Sequence, residues 1–141
     1  MRPQGARKVV IVAVALAVAA AHLFTGPGYR GPLRWFVTGY AIDVLLPFSS
    51  YFLLVLAGLP KWPLRVAAVF LTMAGAEFAQ SKGAALFGRT YDPWDFLAYL
   101  TGALLAAAAD KFLFPRLFGF WNPPTAATGS QRRSDALSGP H

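Results

Sequence analysis

Four apolar stretches run along the chain, separated by short clusters of glycine, proline and charge. The first covers about residues 9–25, after Arg2, Arg7 and Lys8, and ends at the turn Gly26-Pro27-Gly28-Tyr29-Arg30-Gly31-Pro32, which is dense in helix breakers. The second, about 33–59, carries Asp43 and, four residues on, Pro47; that proline frees the carbonyl of residue 43 and predicts a kink. Leu59-Pro60-Lys61-Trp62-Pro63 makes the next turn, and the third stretch, about 64–82, holds Glu77 and Gln80 in its last two turns. Residues 83–91 are the third turn. The fourth stretch, about 93–114, opens on Asp92-Pro93-Trp94-Asp95 and stops before Pro115. Asp92 suits an N-cap, Pro93 the first helical position, and Asp95 the third, where a carboxylate favours the helix dipole.

A helix that crosses a bilayer needs roughly 20 mostly apolar residues. The pattern therefore predicts an all-α protein, a four-helix transmembrane bundle over 1–121, with 122–141 as a disordered cytoplasmic tail of Pro, Thr, Ser, Gly and Arg. A basic start followed by Ala17-Val18-Ala19 also fits a cleaved signal peptide; an uncleaved first helix is the expectation.

Composition agrees. Of 141 residues 56% are apolar and 13% charged, which places the chain toward the membrane class and leaves no room for a separate soluble catalytic domain. The net charge of +7 comes from cations that flank apolar runs, as headgroup anchors do, so nucleic acid is not the expected partner. Without cysteine there is no disulfide, thiolate metal site or cysteine nucleophile. Arg2, Arg7, Lys8, Lys61, Arg65, Lys111, Arg116, Arg132 and Arg133 lie on one side, against Arg30, Arg34, Lys82 and Arg89 on the other. By the positive-inside rule both termini are cytoplasmic.

That orientation gathers polar residues near the outer face. From the rise of a helix, Asp43 lies roughly 13 Å below Arg34, and Glu77 about 7 Å beneath Lys82 with Gln80 one turn above it. His22, Arg89, Asp92 and Asp95 belong to the same end, while the inner half is expected to be nearly free of polar groups apart from Asp110 beside Lys111. A carboxylate in hydrocarbon costs at least a few kcal/mol, so Asp43 and Glu77 should face the bundle interior or a hydrated cavity, as candidate acid/base groups. Gln80, Arg89, Asp92 and Asp95 are the candidate substrate-binding residues. Plainer roles stand beside these: Asp92 and Asp95 as caps, Arg89 as an interfacial ion pair, His22 as a satisfied polar residue. Tyr40, Tyr51, Tyr91, Trp35, Trp62 and Trp94 would form aromatic belts. Gly102 with Ala106, and Ala103 with Ala107, would give the fourth helix small faces for close packing.

The stretch Glu77-Phe78-Ala79-Gln80, then Gly88-Arg89-Thr90-Tyr91-Asp92-Pro93-Trp94-Asp95-Phe96-Leu97-Ala98-Tyr99 and Gly102, resembles the VanZ-like proteins, and Gly39-Tyr40 with Asp43 resembles their second helix. The spacing from Gln80 to Arg89 is longer than in VanZ, and Tyr99 stands where an Asn often follows the Asp, so the likeness is to the small bacterial relatives rather than to VanZ itself. It covers roughly 39–107 and implies a bacterial plasma-membrane protein.

Two functions fit these residues. One is recognition or processing of a polar lipid headgroup or lipid-linked, anionic envelope precursor at the outer leaflet, with Arg89 on a phosphate or carboxylate and Glu77 as base or acceptor. The other is a proton-coupled transporter subunit, which would need an oligomer, or a structural scaffold. No nucleophile motif or phosphate loop identifies a reaction, and no cofactor is expected. A divalent cation shared by Asp43, Glu77, Asp92 and Asp95 has no dense ligand motif to demand it.

Overall fold

The structure, a computed structural model, describes residues 3–25, 28–82 and 92–121. Every regular element among them is helical: α1 (Pro3–Phe24), α2 (Arg34–Gly39), α3 (Ala41–Leu56), α4 (Trp62–Ser81), α5 (Pro93–Ala108), a π-helical turn (Ala109–Leu113) and α6 (Phe114–Leu117). The predicted tail, the whole third turn with Arg89 and Tyr91, and the Gly26-Pro27 pair of the first turn lie outside the described residues.

The helix ends follow local chemistry. α1 begins well before its apolar run because Gln4, Ala6, Arg7 and Lys8 are good helix formers and Pro3 suits a first turn. Where the sequence predicts one helix over 33–59, the structure has two. They part at Tyr40, whose φ of −120° and ψ of −16° interrupt the ladder, while Pro47 stays inside α3. The fourth helix does not stop before Pro115. It passes through the π turn and ends at Leu117. A proline ring clashes with the carbonyl four residues back, here that of Lys111, and the wider π turn relaxes the ladder at that point.

α3 is the centre. It packs on α1, α4 and α5, and α5 also packs on α4; among the described elements α1 approaches, backbone to backbone, only α3. Gly102, Ala103, Ala106 and Ala107 of α5 are buried, and a Cβ at Gly102 would run into the Val44 carbonyl, so the small face of α5 brings α3 unusually near. Toward the other end the core is aromatic: the Phe52 and Phe114 rings stack at 5.1 Å, and Trp121 meets Phe114 edge-on at 4.7 Å.

Much apolar surface remains outside. In α1 only Ile11 is buried, while Val9, Val12, Leu16, Leu23 and Phe24 are exposed. Two helical segments, Pro3–Phe24 and Pro93–Leu117, are long and apolar enough to cross a membrane. α3 is apolar but has 16 residues, and α4 has 20 but carries Arg65 and Glu77, both buried.

Candidate functional site

Glu77 is 2% exposed and faces the bundle interior. α4 carries it to the start of α5, where its Oε1 accepts the Asp92 backbone N–H at 3.2 Å and its Oε2 accepts the Tyr99 hydroxyl at 3.3 Å. Asp92 caps α5 as its sequence implies, accepting the Trp94 N–H at 3.0 Å with Oδ1. Its Oδ2 accepts the Tyr40 hydroxyl at 3.2 Å, so the cap also ties α5 to the break between α2 and α3. That is a reason for the break to fall at Tyr40: there the phenol can reach across.

Asp43 and Asp95 are half-buried and make no side-chain hydrogen bond among the described residues. Asp43 lies within electrostatic reach of Asp95, Glu77 and Asp92, and Asp95 within reach of Glu77 and Asp92. Four carboxylates thus share one end of the bundle. No group of three acidic or histidine side chains among the described residues is arranged to hold a metal ion. Gln80 is half-buried on the same helix end without a side-chain hydrogen bond among the described residues, and His22 is exposed on α1.

Beside the carboxylates opens an apolar groove of about 510 Å³ between α2–α3 and α5. Trp35, Phe36, Tyr40, Val44, Trp94 and Leu97 line it, and it continues past Thr101 to Leu105. From Trp94 to Leu105 the helix rise gives roughly 16 Å, about half the 30 Å of a bilayer's hydrocarbon. Tyr40 belongs to both features, as groove wall and as donor to Asp92.

The expectation that the half of the bundle around Asp110 is nearly apolar is corrected by the structure, because the most densely bonded polar cluster among the described residues is there. Asp110, 4% exposed, meets the Arg65 guanidinium at 2.9 Å, and the same Oδ2 accepts the Tyr51 hydroxyl at 3.0 Å. Its Oδ1 accepts the Trp121 indole N–H at 2.9 Å. Arg65 also donates to the carbonyls of Leu59 at 2.7 Å and Pro60 at 3.2 Å, holding the turn before α4. Arg7 stands 3.6 Å from Asp110 Oδ1 with its guanidinium over the Trp121 ring at 4.9 Å. Tyr51 is therefore a fully buried member of this cluster and not part of an aromatic belt, whereas Trp35, Trp62 and Trp94 are exposed.

Adjacent residues on a helix point to different sides, so Asp110 turns inward while Lys111 is exposed. Two signals could have found the cluster: a carboxylate inside an apolar helix needs a partner, and Arg65 sits in the first turn of α4, where the dipole disfavours a cation. Comparison with family models, curated proteins and solved structures gives no match.

Proposed function

We propose that the chain is a multi-pass membrane protein whose carboxylate cluster recognises the polar head of an outer-leaflet lipid or lipid-linked envelope component, with the lipid's chain in the adjoining groove. The observation that carries this reading is the junction at Tyr40, which lines an apolar groove about one leaflet long and donates to Asp92, the carboxylate whose backbone N–H is bonded by buried Glu77. Carboxylates accept hydrogen bonds and repel anions, so the head is one that presents donors, amine or sugar hydroxyl.

The membrane placement rests on the surface. A helix as apolar and as bare as α1 is stable against lipid tails and not against water. α4 is compatible with a span because its two charges, Arg65 and Glu77, are turned inward and partnered. α2 and α3 together supply the length that α3 alone lacks. With α1, α2–α3, α4 and α5 crossing, the cation count puts both termini in the cytoplasm and the Glu77 end outside. The resemblance to VanZ-like proteins is what suggests a bacterial plasma membrane.

Native mass spectrometry of the detergent-purified chain tests the site. Wild type should retain a lipid with an amine or sugar head; Glu77→Gln, which keeps the shape but removes the carboxylate, and Val44→Trp, which fills the groove, should each lose it, while Lys111→Ala, exposed at the opposite end of the bundle, retains it. Retention unaffected by both variants refutes the site. No retained lipid together with a flux driven by a pH gradient in liposomes would replace recognition by proton coupling.

A further inference from the structure

At the opposite end of the bundle from Glu77, a separate notch of about 380 Å³ lies between the start of α1 and the end of α3. Gln4, Arg7 and Lys8 form one wall, Val55, Leu56 and Gly58 the other, and buried Ile11 adjoins them. Gly58 has φ of +82°, and the position a Cβ would occupy there is open space, which leaves that wall unobstructed.

Arg7 is held but not satisfied. Its guanidinium is stacked on Trp121 and lies 3.6 Å from Asp110 Oδ1, longer than a hydrogen bond. Asp110 already accepts from Trp121 on one oxygen and from Arg65 and Tyr51 on the other. Arg7 Nε is buried without a hydrogen-bond partner among the described residues. Leaving a buried donor unpaired is unfavourable, so its presence calls for an acceptor. Around it, Arg7 and Arg65 face the single carboxylate of Asp110 while Lys8 lines the notch, an excess of positive charge beside a cavity.

We propose that this notch binds a phosphate group, with the Arg7 fork and the Lys8 ammonium as its ligands, and with Asp110 and Trp121 as the residues that position Arg7. A planar fork fixed before the ligand arrives loses little freedom on binding, and it matches two phosphate oxygens at once. Arg7 and Lys8 stand where the apolar run of α1 begins, the level of lipid headgroups. The phosphate can therefore be that of an anionic phospholipid or a soluble one, and the two have the same recognition chemistry.

The test uses the full chain in detergent micelles and follows saturable binding and thermal protection with three probes: phosphatidylglycerol, inorganic phosphate, and an uncharged diacylglycerol as control. Protection by phosphatidylglycerol alone identifies a lipid site, equal protection by inorganic phosphate a soluble one, and either supports the notch provided the control is inert. A cation near a membrane surface contributes about 1 kcal/mol toward anionic lipid, or about fivefold in affinity. Lys8→Gln should then weaken binding about fivefold, and Lys8→Glu roughly 25-fold by the same reasoning. Arg7→Gln should remove more, and Arg7→Lys should not restore it. Lys8 is exposed and outside the Asp110 cluster, so its variants remain informative where an Arg7 variant fails to fold. Neither probe binding, or binding unchanged by Lys8→Glu, overturns the proposal.

Discussion

Asp110 is the side chain whose loss should matter most for stability. It is buried between two arginines, a tyrosine and a tryptophan, and its partners come from α1, α3, α4 and the segment after α6. Removing one member of a buried ion pair leaves an uncompensated charge and costs about 3–5 kcal/mol. Asp110→Ala should lower unfolding stability in detergent by about that much, whereas Lys111→Ala, next to it but exposed, should change little. Equal effects would mean that Asp110 is not buried as described. At this scale the sequence shows which residues are out of place in an apolar helix but not which meet. Glu77 and Asp92 were legible together, since one ends a helix and the other opens the next. Asp110 and Arg65 are separated by 45 positions, and no local pattern joins them. Reading Asp110 with Lys111 followed nearness in sequence, which on a helix points the two apart.

Between elements, the contact of α3 with α5 depends on the absence of a side chain. Gly102 meets the Val44 carbonyl so closely that a methyl group forces a backbone to move, while Gly75 in α4 is exposed with open space where its Cβ would stand. Gly102→Ala should therefore destabilise by about 1–3 kcal/mol, the range for overpacking. Gly75→Ala should be neutral or stabilise by about 0.5–1 kcal/mol through helix propensity. Two stabilising results would show that α3 and α5 do not pack this closely. The small face of α5 was readable as a four-residue repeat of Gly and Ala, and the start of α5 from its cap and proline. The break at Tyr40 was not, because it pairs with Asp92, 52 positions away. Nor was the passage through Pro115, since a π turn that accommodates a proline has no signature in residue type.

For the whole molecule, the two polar clusters give the bundle unlike ends: carboxylates that form no ion pair among the described residues at the Glu77 end, and two arginines around one carboxylate at the Asp110 end. The positive-inside rule counts the loop cations and not these buried groups, and the proposed recognition of a donor-bearing headgroup outside requires the Glu77 end to be outside. The chain contains no cysteine, so a single introduced thiol reports one position without background. Gly28→Cys, in the turn after α1, and Lys61→Cys, in the turn before α4, are both at exposed positions and at opposite ends of the proposed spans. In intact cells a membrane-impermeant maleimide should label Cys at position 28 directly and at position 61 only after permeabilisation. The reverse pattern would put the carboxylates on the cytoplasmic side, where the groove would open on the inner leaflet and the phosphate notch on the outer one. Labelling of both positions in intact cells, with the membrane barrier verified, would remove the spanning arrangement itself. Only protection at 61 with access at 28 is consistent with a bundle that meets one lipid head outside through its carboxylates and a phosphate inside through Arg7 and Lys8.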